Sequence, residues 1–245
     1  MNEAKFPQLF WGIIALSLSL LFSTFMGTQA LKQFKNSDNT ISVTGSARKG
    51  IRSDFATWRS SITYEATSRE EAYQIIQAQT ETVQNYFIDQ GIPSEAITLD
   101  ELNLNSLPEY LANGNQSGRI RGFKLMQHFE VRLADVNKIA NLARQSMSLL
   151  NQGLAFESYP PEYLYTKLSD LRVEMLAQAT EDARERAQHI LTATDNKLGP
   201  VRSVRTGVFQ ITRPHSTEVS DYGRYDTSSI DKDITAVLTL SFAVE

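Results

Sequence analysis

The nineteen residues from Leu9 to Gly27 carry no charge, and they constrain this chain more than any other feature of it. At ~1.5 Å per residue, an uninterrupted helix of that length comes close to the ~30 Å hydrocarbon core of a bilayer. Lys5 precedes the run, Lys32 and Lys35 follow it, and Trp11 sits near one end, where an interfacial aromatic is at home. Its Leu, Ile and Phe residues each favour insertion by about 0.3–0.6 kcal/mol. The serines and Thr24 offset only part of that sum, because helical hydroxyls bond back to the preceding turn. The segment predicts a single-pass transmembrane helix, an uncleaved signal anchor within residues 1–34 that meets the membrane through residues 9–27. A cleaved signal with secretion to the periplasm is the alternative, since Thr28-Gln29-Ala30 offers small residues at a suitable spacing. The apolar cores of cleaved signals run about 7–15 residues, shorter than this one. Flanking charge gives no orientation, because Glu3 weakens the short N-terminal side while Lys32, Lys35, Arg48 and Lys49 follow the span. A single early span is the usual export signal, so the remainder is expected outside the cytoplasm.

Composition excludes several classes of function. A net charge of −4 and a pI near 5.5 give no electrostatic footprint for nucleic acid. The absence of cysteine rules out disulfides, thiolate metal sites and cysteine nucleophiles together.

Beyond a polar linker, residues 35–40, the pattern alternates. Ile41, Val43 and Gly45 share one side of a short strand; Ala56, Trp58, Ser60, Ile62 and Tyr64 share one side of the next, with Thr57, Arg59, Ser61 and Thr63 opposite. Ser68 and Glu71 form a capping box for a helix carrying Ala72, Ile75, Ile76, Gln79, Val83, Tyr86 and Phe87 up to Gly91. Ile97–Leu104 reads as a strand, Pro108–Arg119 as a loop, and Phe123–Leu133 as a strand. Asp135 caps a second helix bearing Val136, Ile139, Ala140, Ala143, Met147 and Leu150, which ends at Gly153. A short extended piece, Leu154–Ser158, leads to Tyr159-Pro160-Pro161, which no helix interior accepts. The longest helix, Lys167–Thr194, buries Leu168, Leu171, Met175, Ala179, Ala183, Ala187, Ile190 and Leu191. It turns Glu181, Asp182, Arg184, Glu185 and Arg186 to water. Strands follow at Val201–Ile211 and Ile234–Val244, separated by a polar loop, Thr212–Lys232. This order predicts an α+β fold: a largely antiparallel or mixed sheet with about three helices packed on one side, preceded by one N-terminal transmembrane helix. No boundary is visible inside residues 41–245, which are expected to form one domain.

These segments resemble a known family. Ile41-Ser-Val-Thr-Gly-Ser-Ala47, the helix Glu174-Met-Leu-Ala-Gln-Ala-Thr-Glu-Asp-Ala-Arg-Glu-Arg-Ala187 and Lys197-Leu-Gly-Pro-Val201 stand in the order and spacing of the SIMPL domain (formerly DUF541) proteins. Gly207-Val-Phe-Gln-Ile-Thr212, Ser216-Thr-Glu-Val-Ser-Asp-Tyr222 and Tyr225-Asp-Thr-Ser228 look like a bacterial, membrane-anchored subgroup. The resemblance implies an exported or envelope-associated protein, often linked to oxidative or envelope stress, without an established enzymatic activity. An animal relative is a signalling adaptor. The family supplies no catalytic residues to carry over.

The residues themselves offer little chemistry. His128, His189 and His215 share no ligand spacing; His128 falls on a strand face with Lys124, Glu130 and Arg132 that reads as solvated. Neither a nucleophile elbow nor a glycine-rich phosphate loop is present, and Glu181, Asp182 and Glu185 alternate with arginines as a wet helix face does. No catalytic, metal or cofactor site is therefore expected. Two tyrosine-bearing segments stand out: Tyr159, Tyr163 and Tyr165 in Tyr159–Tyr165, and Tyr222 and Tyr225 in Ser216–Ser228. Large rigid side chains lose little entropy on binding, so both segments are candidate protein-contact loops, with loop packing over the sheet as the alternative. The expectation is a non-enzymatic envelope protein that self-assembles as a homo-oligomer or binds an envelope protein partner. An envelope hydrolase or a small-ligand binder with an unrecognised site is the alternative.

Overall fold

The computed structural model describes residues 7–37 and 39–245, with side chains from 11 to 28 and from 39 onward. Glu3 and Lys5, which flank the apolar run, and the side chains of Lys32 and Lys35 lie outside the described residues. Helix α1 (Pro7–Ser37) is longer than the apolar run, so the residues 35–37 read as linker are helical. Among the described residues it alone is long and apolar enough to cross a membrane, over Trp11–Thr28 with mean hydropathy 1.6. Every described side chain of that stretch is exposed except the half-buried Ile14. Ser17, Ser19, Thr24 and Thr28 each donate to a carbonyl one turn back, at 2.8–2.9 Å, which lowers the cost of carrying those hydroxyls in an apolar helix.

From Thr40 onward the fold is α+β with two mostly antiparallel sheets rather than one. The described chain divides into two compact units where the sequence shows no boundary. The central unit comprises Arg48–Val173 and Val208–Thr235; the terminal unit comprises residues up to Ala47, Glu174–Gly207 and Ala236–Glu245.

The central unit is built on β2 (Phe55–Ala66) and β5 (Gln116–Leu133), paired antiparallel from Ala56 opposite Leu133 to Ala66 opposite Phe123. β3 (Ile97–Leu99) and β4 (Asn103–Tyr110) lie along β5; β6 (Ala155–Ser158) and β7 (Glu162–Leu164) lie along β2. Helices α2 (Arg69–Asp89) and α3 (Val136–Gln145) pack on the face carrying Trp58 and Phe129. Phe87 of α2 meets Trp58 edge-on, with centroids 5.3 Å apart, and Phe129 at 5.8 Å. Both expected caps form: Ser68 Oγ accepts from the Glu71 amide at 3.1 Å and Asp135 Oδ1 from the Lys138 amide at 3.0 Å.

Four expectations are corrected here. Pro108–Arg119 is a loop only at residues 111–115: β4 and β5 form a hairpin whose arms take up the rest, with a register shift at Pro108, which has no N–H to give the ladder. Ile97–Leu104 is correspondingly two strands. After Gln145 the helix tightens to a 3₁₀ stretch, Ser146–Gln152, whose three-residue turn buries Ser146 and Leu149 and leaves Met147 and Leu150 exposed. Val201–Ile211 divides into β8 (Leu198–Thr206) and β9 (Gln210–Thr212).

In the terminal unit, the last residues of β11 (Asp231–Val244) pair with β8, and Ser42 and Thr44 of β1 (Thr40–Arg52) share hydroxyl hydrogen bonds with Ser241 and Thr239 at 2.7 and 3.1 Å. Helix α4 (Leu168–Ala193) buries Met175, Ala179, Ala183, Ala187 and Leu191 in strict steps of four, while Ile190 is exposed. The alanines admit β1: a Cβ placed on Gly45 would stand 2.2 Å from the Ala179 carbonyl oxygen and 2.6 Å from the Ala183 Cβ. Asp182, read as a solvated residue, instead accepts the Ser46 amide at 2.7 Å. That bond holds its carboxyl below the ordinary range, against the opposing effect of burial and with help from Arg186.

Gly45→Ala is expected to destabilise the chain by at least ~1–3 kcal/mol, because the backbone of α4 must move to admit one methyl group. Gly50→Ala, where the nearest atom would be Asp233 Oδ1 at 3.7 Å, serves as the tolerated control. Urea midpoints of the two variants in detergent check both.

Candidate functional site

The alternation that buries Trp58 turns the other face of β2 and β5 outward. On it, Arg59 stands opposite Glu130, Ser61 opposite His128, and Thr57 opposite Arg132. Glu157 of β6 stands opposite Ser61 on the far side of β2. This face is not simply solvated: Glu130 is only 5% exposed. Its Oε2 accepts from Arg59 Nε at 2.8 Å, while Oε1 faces Arg132 in an ion pair without an aligned hydrogen bond. The Glu130 hydrogen bond and charge hold the Arg59 guanidinium above its ordinary pKa despite burial, with smaller contributions from Glu162 and Asp100.

Over this face lies a cleft of about 550 Å³, lined by Thr57, Arg59, Asp100, His128, Tyr159, Pro160, Pro161, Glu162 and Thr227. Its volume is typical of small-ligand sites, which run to ~300–1,000 Å³. Its walls come from both tyrosine-bearing segments. The Tyr163 amide donates to the Thr227 carbonyl at 2.7 Å, and the Tyr165 amide to the Tyr225 hydroxyl at 3.2 Å. Tyr159 lines the cleft and its hydroxyl donates to Glu157 at 3.0 Å. Tyr163 points the other way, into the core, where burial pushes its phenol up against the opposing charge of Arg144. Tyr222 is 97% exposed on the turn before β10 (Arg224–Tyr225), and Val219 is 81% exposed nearby.

That turn is held by side chains rather than by a ladder. The amide of Gln210 brackets Ser220, its Nε2 donating to the carbonyl at 2.6 Å and its Oε1 accepting from the N–H at 3.3 Å. Arg224 and Glu218 pair at 2.9 Å. At the far end, Lys232 is completely buried, and its ammonium donates to the Ser229 carbonyl beside Asp226. Burial pushes the Lys232 amine down, and Asp226 opposes that shift. Burial alone would raise the Asp226 carboxyl, but donors from Ser228 and Ser229 and the charge of Lys232 outweigh it and set it at about 2.

Asp100, Glu130 and Ser61 were not singled out from sequence. The alternating charges of β2 and β5 signal an outward face, but only the register shows that the two rows meet. His189 and His215 take no part in the cleft. Among the described residues, no group of three or more His, Asp or Glu side chains is arranged to hold a metal ion.

A comparison with protein families matches residues 41–242 to SIMPL, described as a protein of unknown function (DUF541). A comparison with curated proteins finds no match.

Acid should loosen the turn. Asp226 titrates at about 2 when folded against an ordinary 3.8, so the folded chain favours its ionised form. The stabilisation is complete above about pH 5 and disappears as pH falls through 3.8 towards 2, amounting to at most ~2 kcal/mol. Unfolding midpoints measured from pH 6 to 2 should fall less steeply for Asp226→Asn than for the native chain.

Proposed function

The chain belongs to the SIMPL (DUF541) family, and from that premise we propose that it is a non-enzymatic, membrane-anchored envelope protein. Its extracytoplasmic part captures a protein partner, or a second copy of itself, on the surface where the two tyrosine-bearing segments meet. The observation that carries this reading is the fixed presentation of that surface. The Gln210–Ser220 bracket and the Lys232–Asp226 turn hold a long irregular stretch in one conformation, with Val219 and Tyr222 displayed at its tip. Ordering such a loop in advance removes part of the entropic cost of association. The polar groups of the neighbouring cleft support binding rather than turnover: Arg59 is committed to Glu130 and Tyr159 to Glu157. Helix α1 supplies the anchor, and the family's association with envelope stress gives the context.

Because the chain has no cysteine, one introduced thiol reports orientation cleanly. Ser216→Cys should react with a membrane-impermeant maleimide in intact cells; labelling that appears only after lysis would place this surface inside. For the contact itself, a photo-reactive residue at position 222 or 159 should give discrete adducts. Twice the 27.5 kDa chain mass would indicate self-association, and any other discrete mass a separate partner. Adducts at neither position would sink the recognition reading.

A further inference from the structure

We propose that the cleft over β2 and β5 is a binding site for an organic cation, an alkylammonium or guanidinium group. This deepens the recognition role proposed above and rests on it. The charges of the site are unbalanced. Arg59 and Arg132 share a neighbourhood with Glu130, Asp100, Glu157 and Glu162. Glu130 is taken up by the two arginines, and Glu157 accepts the Tyr159 hydroxyl. Asp100 and Glu162 remain in the cleft wall, and neither carboxylate accepts a hydrogen bond from another described residue. Their negative field falls on Arg59 already. An anion entering the cleft would meet both carboxylates, whereas a cation would be offered two free acceptors.

A second observation is independent of charge. Ser61 is 1% exposed, and its Oγ has no hydrogen-bond partner. It lies on the cleft side of β2, two residues from Arg59 and directly across from His128, both of which line the cleft. Ser61 does not itself line the cleft, but its unpaired hydroxyl is a cost to the fold, and an N–H donor that reaches it past His128 would recover part of that cost. Tyr159, Pro160 and Pro161 add a flat, largely apolar wall along which a methylene stem can lie, with the Tyr159 ring as a face for the charged head. The volume accommodates a lysine or arginine side chain with its neighbours.

This chemistry has two sources: a basic side chain on a polypeptide, or a free polyamine. The full chain in lipid nanodiscs would be titrated calorimetrically with an acetylated, amidated trilysine peptide, with spermidine, and with a triglutamate control. The native chain should bind trilysine or spermidine and not triglutamate. Asp100→Asn and Glu162→Gln should each weaken binding about tenfold or more, the loss expected for one charged acceptor. Ser61→Ala should weaken it about 3–10-fold while leaving the unfolding midpoint equal or higher, since the hydroxyl has no protein partner to lose and its burial is a cost that the substitution removes. A stronger response to the peptide assigns the site to a basic side chain; an equal or stronger response to spermidine assigns it to a polyamine. Either supports a cation site. Binding of triglutamate, no binding of either cation, or cation binding indifferent to all three substitutions would overturn it. If adducts at position 159 persist while cation binding is absent, this proposal fails and the recognition role stands; loss of both removes both.

Discussion

The register between β2 and β5 is the constraint on which the central unit depends. Side chains alternate with a period of two, so a single pairing decides at once which residues form the core and which form the cleft. With Ala56 opposite Leu133, Trp58 and Phe129 fall on the helix side, and Arg59, Ser61, His128 and Glu130 on the other. A slip of one residue would put Arg59 where Phe87 expects an indole. The edge-on contacts of Trp58, Phe87 and Phe129 fix the register from one side, and Trp58 completes it by donating to Ser158 Oγ at 3.1 Å. The Arg59–Glu130 pair fixes it from the other. A carboxylate as buried as Glu130 is costly to hold unless its charge is compensated, and only this register places an arginine from each strand beside it.

The irregular segments inherit their positions from that sheet. β6 and β7 carry Tyr159-Pro160-Pro161 along the edge of β2, and the two prolines remove donors at a point where the ladder is interrupted anyway. The segment bearing Tyr222 and Tyr225 has almost no ladder of its own. Its backbone carbonyls are met instead by Gln210 at Ser220, by the Tyr163 amide at Thr227 and by a buried Lys232 at Ser229, while the Tyr165 amide donates to the Tyr225 hydroxyl and Lys232 also pairs with the Asp226 carboxylate. A fully buried lysine needs such partners, because an ammonium without them would give up its proton rather than its water. The result is a surface that is irregular in shape but held by specific bonds.

The terminal unit rests on a different device. Gly45 and the alanines of α4 bring two backbones into contact closer than any side chain on β1 would permit, and Asp182 adds a charged acceptor for the next amide along the strand. Close packing here comes from atoms left out, so the interface has almost no freedom to absorb an added methyl.

By itself the sequence determined the local features: the apolar run of α1, both helix caps, the alternation of β2, β5 and β11, the alanine stripe of α4 and the family to which residues 41–242 belong. Each is set by neighbours within a few positions, through periodicity or a capping side chain, so each is legible in one dimension. Tertiary structure alone decided that the strands form two sheets, that Pro108–Arg119 joins a hairpin, that Asp182 turns to β1, and that Glu130 is buried. It also decided that Tyr163 points into the core while Tyr159 lines a cleft with Asp100 and Thr227. These outcomes depend on which distant strand supplies the missing hydrogen bond or counter-charge. Pairing across more than fifty residues leaves no periodic trace in either partner, because each strand's own alternation is compatible with several registers and several neighbours.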